Sequence, residues 1–364
     1  MIVQDVINIL EQTAPLAYTE SFDNTGLLVG NHTQKITGIL VTLDTLEEVV
    51  DEAIENNCNL IISFHPILFT GLKKLTNHTY VERTVRKAIK NDIAIFAIHT
   101  ALDNSWNGVN HKICKHLGLT KTKVLIPQKN TIEKLITYVP LSSYKEVRQS
   151  LWEAGAGNIG NYSNCSFNIE GHGTFLGEDG SAPVLGDKGI LHTEREVQIG
   201  LTYGRHLRTK VLNALFTSHP YEEVAYEITP LKNTNQHIGM GMIGEWERPK
   251  TEKDFLSYIK KKMNTDCIRH TKLLDQKIKK VAVLGGSGSF AISSAIQAGA
   301  QAFITADLKY HDFFQAENKI LLADIGHYES EQYTKELLVS LLSKKIRNFA
   351  IVLSQVNTNP ITYY

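Results

Sequence analysis

The chain has 364 residues, 42% of them hydrophobic and 21% charged, and its 38 basic and 38 acidic side chains cancel. That length exceeds one ordinary core and predicts two or three domains of globular rather than disordered composition. Zero net charge without a Lys/Arg block argues against a general nucleic-acid or membrane surface.

The opening segment, MIVQDVINILEQ, sets Asp5 and Glu11 among apolar residues at helical spacing and lacks the form of a secretory signal. The longest apolar stretch, Leu60 to Phe69, is broken by His65 and Pro66 and falls far short of the ~20 residues a bilayer span needs. The four cysteines are scattered with no CxxC pair, which fits a reducing compartment. Together these features predict a soluble, cytoplasmic protein.

Residues 1–128 read as alternating strands and helices. Ile39–Leu43 is an apolar strand, and Thr45 with Glu48 predicts a capping box for the helix that follows. Strand Leu60–Phe64, helix Tyr80–Lys90, strand Ile93–Ile98 and helix Asn110–Leu117 come next, the pattern of a mostly parallel sheet. Residues 129–235 differ: strand Leu135–Val139, helix Ser143–Ala154, a Gly/Asn/Ser-rich stretch from Gly155 to Gly180, strand Glu196–Tyr203, helix Arg205–Phe216 and extended Ala225–Pro230. That β-α-β-β-α-β order predicts a ferredoxin-like α+β domain inserted in the chain. Residues 236–364 open with a glycine-rich segment, Gly239–Gly244, read as a loop. They resume the α/β pattern with strands Lys280–Leu284, Ala302–Thr305, Ile320–Asp324 and Ala350–Leu353, and helices Phe290–Ala298 and Glu329–Lys344. The fold class is therefore α/β: two lobes with mostly parallel sheets form one domain, interrupted by the insertion.

Four segments put ligand-type residues at the ends of apolar strands: Ile61–Pro66 with His65, Ile98–Asp103, Thr305–Asp312, and Asp324–Glu331. Parallel topology brings strand C-terminal ends to one edge, where ligands gather. His65, Asp103, His327 and Glu331 are the expected metal ligands. His327 and Glu331, four apart, share a helix face. Imidazole with carboxylate suits Zn, Mn or Fe better than Ca, and such a centre activates water for hydrolysis. His311 and Asp312 serve proton transfer or pin their loop. His99 orients Asp103 or simply packs, and Asp44 caps the helix after it. The Gly285-Gly-Ser-Gly288 turn lacks a Walker lysine and reads as a tight turn lining the pocket rather than a phosphate loop.

These residues resemble those of the GTP cyclohydrolase I type 2, or Ngg-interacting-factor-three, family. The resemblance runs nearly the whole length, through Glu20–Gly30, His65-Pro66, His99–Asp103 with Gly108-Val-Asn110, Gly285–Gly288, Thr305–Asp312 and Gly326–Glu331. It implies a dinuclear centre, with one ion on His65, Asp103 and Glu331 and the other on His327 and Glu331. It implies a toroidal homohexamer, a PII/CutA-like insertion capping its openings, and hydrolytic opening of the guanine ring of GTP. It also marks departures: Phe64 stands where a histidine is usual, Phe22 where Trp is, and Ala306 where Gly is. Phe cannot coordinate a metal, so the second ion loses a ligand. The expected function is a metal-dependent hydrolase of a nucleotide or related small molecule. The alternative is a non-enzymatic, hexameric metal-binding scaffold or regulatory protein.

Overall fold

Ile39–Thr42, Leu60–Ser63 and Ala94–Ala97 are buried at every position, as strands covered on both faces must be. In the computed structural model, which describes residues 1–364, these three lie parallel in one five-stranded sheet. Ile351–Leu353 joins one edge in parallel, and Gly26–Val29 joins the other antiparallel. The last strand of the chain thus completes the sheet of the first lobe.

The second sheet has six strands in the order Arg269–His270, Leu321–Asp324, Ala302–Ala306, Lys277–Ser287, Gly239–Thr251, Thr120–Pro127. Only Lys277–Ser287, Ala302–Ala306 and Leu321–Asp324 run parallel; the other three pair antiparallel. Residues 239–244, expected as a loop, are the start of a long strand. Glycine is needed there for close approach: a Cβ at Gly239 would sit 2.1 Å from the Ile126 carbonyl oxygen. One core joins the two lobes, with Ile39, Leu60, Phe64 and Phe96 packed into the same cluster as Val281, Ile304, Ala323 and Leu342.

Residues 1–127 and 236–364 form one unit and residues 128–235 another. In the latter the strand order is Phe167–Leu176, Leu191–Gly204, Ile132–Pro140, Tyr226–Leu231, all antiparallel. Helices Tyr144–Glu153 and Arg208–Ser218 give Val147, Leu151, Val211 and Leu215 to a core completed by Leu135, Val139, Val197 and Ile199. Phe167–Leu176 is a full strand within the stretch read as Gly/Asn/Ser-rich, and Leu191–Gly204 extends beyond the expected Glu196–Tyr203.

Two helix starts depart from expectation. The helix Glu47–Glu55 takes Leu46 as its N-cap, and the Thr45 hydroxyl is buried without a partner, so no capping box forms. The expected single helix Glu329–Lys344 is two, His327–Glu331 and Thr334–Lys345. Gly326, with φ of 92°, turns the chain so that the first begins directly at His327. No helix is long and apolar enough to cross a membrane.

Candidate metal centre

His65 follows the buried strand Leu60–Ser63, and its backbone is pinned there. Its N–H donates to the Leu43 carbonyl (2.9 Å), and the Ser63 hydroxyl donates to its own carbonyl (2.7 Å). His327 and Glu331 lie one turn apart on the short helix after Leu321–Asp324. Ser330 fixes that helix by accepting the Gly286 N–H at 2.9 Å.

The three side chains converge. Glu331 Oε2 lies 3.0 Å from His65 Nε2 and 3.2 Å from His327 Nε2, and the two imidazole nitrogens are 3.4 Å apart. The other ring nitrogens are committed: His65 Nδ1 is 2.8 Å from Asp44 Oδ1, and His327 Nδ1 is 2.7 Å from Asp307 Oδ2. A carboxylate only accepts, so each Nδ1 carries the proton and each Nε2 of a neutral ring turns a lone pair inward. With the rings protonated, each Nε2 donates to Glu331; with both rings neutral, three acceptors face one another with no donor between them. A cation satisfies that arrangement, and carboxylate-backed histidines are the usual way to aim and strengthen metal-binding imidazoles. The donor set fits Zn, Fe or Mn.

The electrostatics agree. Burial opposes charge on His65, but Glu331 and Asp44 outweigh it and lift its pKa to about 10. Burial likewise opposes charge on His327, which hydrogen bonds to Asp307 and Glu331 raise to about 11. Burial would raise the Glu331 carboxyl, yet the two imidazoles hold it well below the usual range. The site favours positive charge, carried by protons or by a metal ion.

The glycine turn belongs to this centre. A Cβ at Gly286 would lie 2.5 Å from Glu331 Oε1, and φ there is +70°. A Cβ at Gly285 would lie 3.2 Å from Glu331 Cγ. The turn is a cradle for the Glu331 side chain, and its own strand continues through Ser287.

Asp103 is buried beside the three, and its pKa is raised well above the ordinary value, first by burial and then by the charge of Glu331. Its Oδ1 has no hydrogen-bond partner. It is not among the residues whose ligand atoms lie within 4.8 Å of one another; those are His65, His327 and Glu331. His327 therefore shares a point with His65 rather than standing apart from it. His99 does not bond Asp103; its Nδ1 lies 2.8 Å from Asp23 Oδ1. Asp312 caps its own 3-10 turn by accepting the Lys309 N–H at 2.8 Å, and the His311 ring stands against Tyr310 and Phe314. No hydrogen bond or ion pair ties either to the cluster.

Asp44 corrects an expectation: with the helix starting after Leu46 it caps nothing, and it orients His65 instead. Asp307 and Asp23 went unread as functional. The available signal was position: Asp44 and Asp307 directly follow the apolar stretches Ile39–Leu43 and Ala302–Ala306, as His65 follows its own.

The sequence profile of the Duf34/NIF3 (NGG1p interacting factor 3) family matches residues 1–360. A Bacillus subtilis (strain 168) protein named GTP cyclohydrolase 1 type 2 homolog is 39% identical over 366 residues, covering 99% of this chain and 98% of that one. Among solved structures, a Bacillus cereus protein related to NIF3 superposes with a TM-score of 0.87 at 36% identity, covering 100% of this chain and 99% of the other. Staphylococcus aureus protein SA1388 does so with 0.79 at 32% identity, with coverage of 100% and 99%.

Proposed function

The chain belongs to the Duf34/NIF3 family, and from that premise we propose that it is a divalent-metal protein acting as a hydrolase on a nucleotide or related small molecule. The observation that carries the reading is the meeting of three potential ligand atoms, His65 Nε2, His327 Nε2 and Glu331 Oε2, at 3.0 to 3.4 Å. These residues would hold one ion, with Asp103 beside it. A bound divalent ion supplies Lewis acidity and activates water at neutral pH. The protein's own part is to fix the imidazoles through Asp44 and Asp307, cradle Glu331 on Gly285-Gly286, and keep Asp103 buried as a further acceptor. The related proteins' name points to GTP as the first substrate to try, and His311 is a candidate proton carrier for the reaction. Within this proposal the protein is cytoplasmic and assembles as a homohexamer. Residues 1–128 and 236–364 carry the centre, and 129–235 are a PII/CutA-like regulatory insertion, a kinship supported by the strand order.

A broad nucleotide panel assayed with metal-replete protein tests the activity: GTP turnover that is lost in Glu331→Ala is the expected result. No turnover of any nucleotide at full metal occupancy would overturn the hydrolase. The non-enzymatic scaffold is favoured by one observation, the fully buried Phe64 ring beside His65. It offers no ligand where the family resemblance puts a histidine, which weakens a two-ion mechanism.

A further inference from the structure

We propose that residues 128–235 carry a binding site for an elongated organic polycation, an aliphatic polyamine, on the face of their sheet that the helices leave open. The site lies wholly within that unit and does not depend on the metal centre.

Strand alternation creates the site. Val197 and Ile199 are buried in one core with the helices Tyr144–Glu153 and Arg208–Ser218, so Glu196 and Gln198 point to the opposite face. A cavity of about 1000 Å3 lies there, bounded by residues 177–185 and 221–225 as well as by the sheet. The Ala182 N–H donates to Glu222 Oε1 at 2.7 Å and ties those two segments together. Such a volume is at the upper end of what small-ligand sites offer.

The lining is acidic without compensation. It includes Glu170, Glu178, Glu196, Glu222 and Glu223 but no lysine or arginine, in a chain whose acidic and basic side chains are equal in number. Glu170 lies 3.4 Å from Arg195, whereas the other four make no ion pair. Carboxylates gathered in a cleft reinforce one another's field and draw a cation to it. Glu196 is held in place for that role. The Tyr221 hydroxyl donates to its Oε1 at 2.9 Å, and its Oε2 lies 2.1 Å from where a Cβ at Gly173 would sit. Glycine on the neighbouring strand is what lets this carboxylate lie across the sheet.

The arrangement selects the kind of cation. These glutamates do not converge: the group of ligand-type side chains whose atoms lie within 4.8 Å of one another is His65, His327 and Glu331. A metal ion such as Ca or Mg needs oxygens gathered around one point, whereas separated carboxylates match ammonium groups spaced along a chain. The apolar lining points the same way. Phe175 and Tyr221 stand edge to face with centroids 5.8 Å apart and offer aromatic faces to an ammonium. Ile169, Leu176 and Val184, each about half exposed, offer contacts to methylenes.

Equilibrium dialysis of the full chain against labelled spermidine tests the site, at about 0.15 M salt to damp loose surface attraction. Wild type is expected to bind spermidine saturably. Glu196→Gln keeps an acceptor for Tyr221 and should weaken binding by about 10- to 100-fold. The double variant Glu178→Gln/Glu223→Gln removes two carboxylates that make no ion pair, and should weaken it by about 3- to 10-fold. Glu153→Gln, exposed on a helix of the same unit, should leave it unchanged. No binding at millimolar spermidine, undiminished binding in both cavity variants, or equal weakening by Glu153→Gln would each overturn the proposal. Displacement of spermidine by an equal concentration of Mg would also overturn it, by assigning the carboxylates to an inorganic cation.

Discussion

At the scale of single residues, the centre is defined by what its acceptors lack. Glu331 faces two imidazole nitrogens that present lone pairs once the rings are neutral, because Asp44 and Asp307 hold the remaining proton on the far side of each ring. Replacing either aspartate with asparagine lets the ring change tautomer or tilt, and an amide strengthens the imidazole less than a carboxylate. We expect Asp44→Asn and Asp307→Asn each to lower metal affinity by about 10- to 100-fold, measured by competition with a chromophoric chelator. An unchanged affinity would mean that the carboxylates do not tune the site.

The pKa values of the histidines give this scale a pH dependence. Without metal, His65 and His327 hold their protons to about 10 and about 11, because Glu331, Asp44 and Asp307 outweigh the cost of burial. A metal ion must displace protons, so apparent affinity should rise with pH through the neutral range, with protons released on binding. Calorimetry in buffers of different ionisation enthalpy reads that release. In the metal-free protein these raised pKa values stabilise the fold below the ordinary histidine pKa, and the contribution is lost as pH rises through the folded values.

At the scale of elements, the ends of strands and the starts of helices place the ligands. His65 was legible because it closes the buried strand Leu60–Ser63, and His327 with Glu331 because they are four apart after another strand. The glycines were harder to interpret. Gly239 and Gly241 look like loop residues, but they lie in a strand where a Cβ would strike a neighbouring one; contact across a sheet is invisible to a local pattern. Gly286 carries both constraints, a φ of +70° and a Cβ position 2.5 Å from Glu331 Oε1. Gly286→Ala should therefore push Glu331 off its position. We expect it to destabilise the unit by about 1–3 kcal/mol and to reduce metal binding; wild-type binding in a folded variant would contradict the cradle. Asp44 went unread because the choice between capping a helix and orienting a histidine depends on where the helix starts, and Leu46 rather than Thr45 supplies that start.

At the scale of the whole molecule, the first and last thirds of the chain share one core, and the strand Ile351–Leu353 closes the sheet that the first third begins. The βαβ alternation made this architecture readable, but the mixed direction of the second sheet was not. Its antiparallel strands Thr120–Pro127 and Gly239–Thr251 flank the insertion in sequence and pair only in three dimensions. The inserted unit has its own buried anchor. Glu133 Oε2 accepts from Tyr203 Oη and Arg208 Nε, both at 2.9 Å. The Arg208 hydrogen bond holds the Glu133 carboxyl below the usual range, against burial. Its stabilising effect is therefore present above the unfolded carboxyl pKa and fades as pH falls below it. Glu133→Gln should destabilise residues 128–235 by about 1–3 kcal/mol, discounted for the partial exposure of Arg208, and leave metal binding in the other unit unchanged. Hydrogen exchange resolved by segment would detect the loss, and equal protection in variant and wild type would contradict the anchor.

The central claim is that His65, His327 and Glu331 hold a divalent ion. Metal content of the purified, dialysed protein beside Glu331→Ala tests it most directly. The account predicts at least one tightly held Zn, Fe or Mn ion per chain in wild type and its loss in a variant that remains folded. A folded wild type that takes up no divalent metal, or a Glu331→Ala variant that retains it with equal affinity, would contradict it.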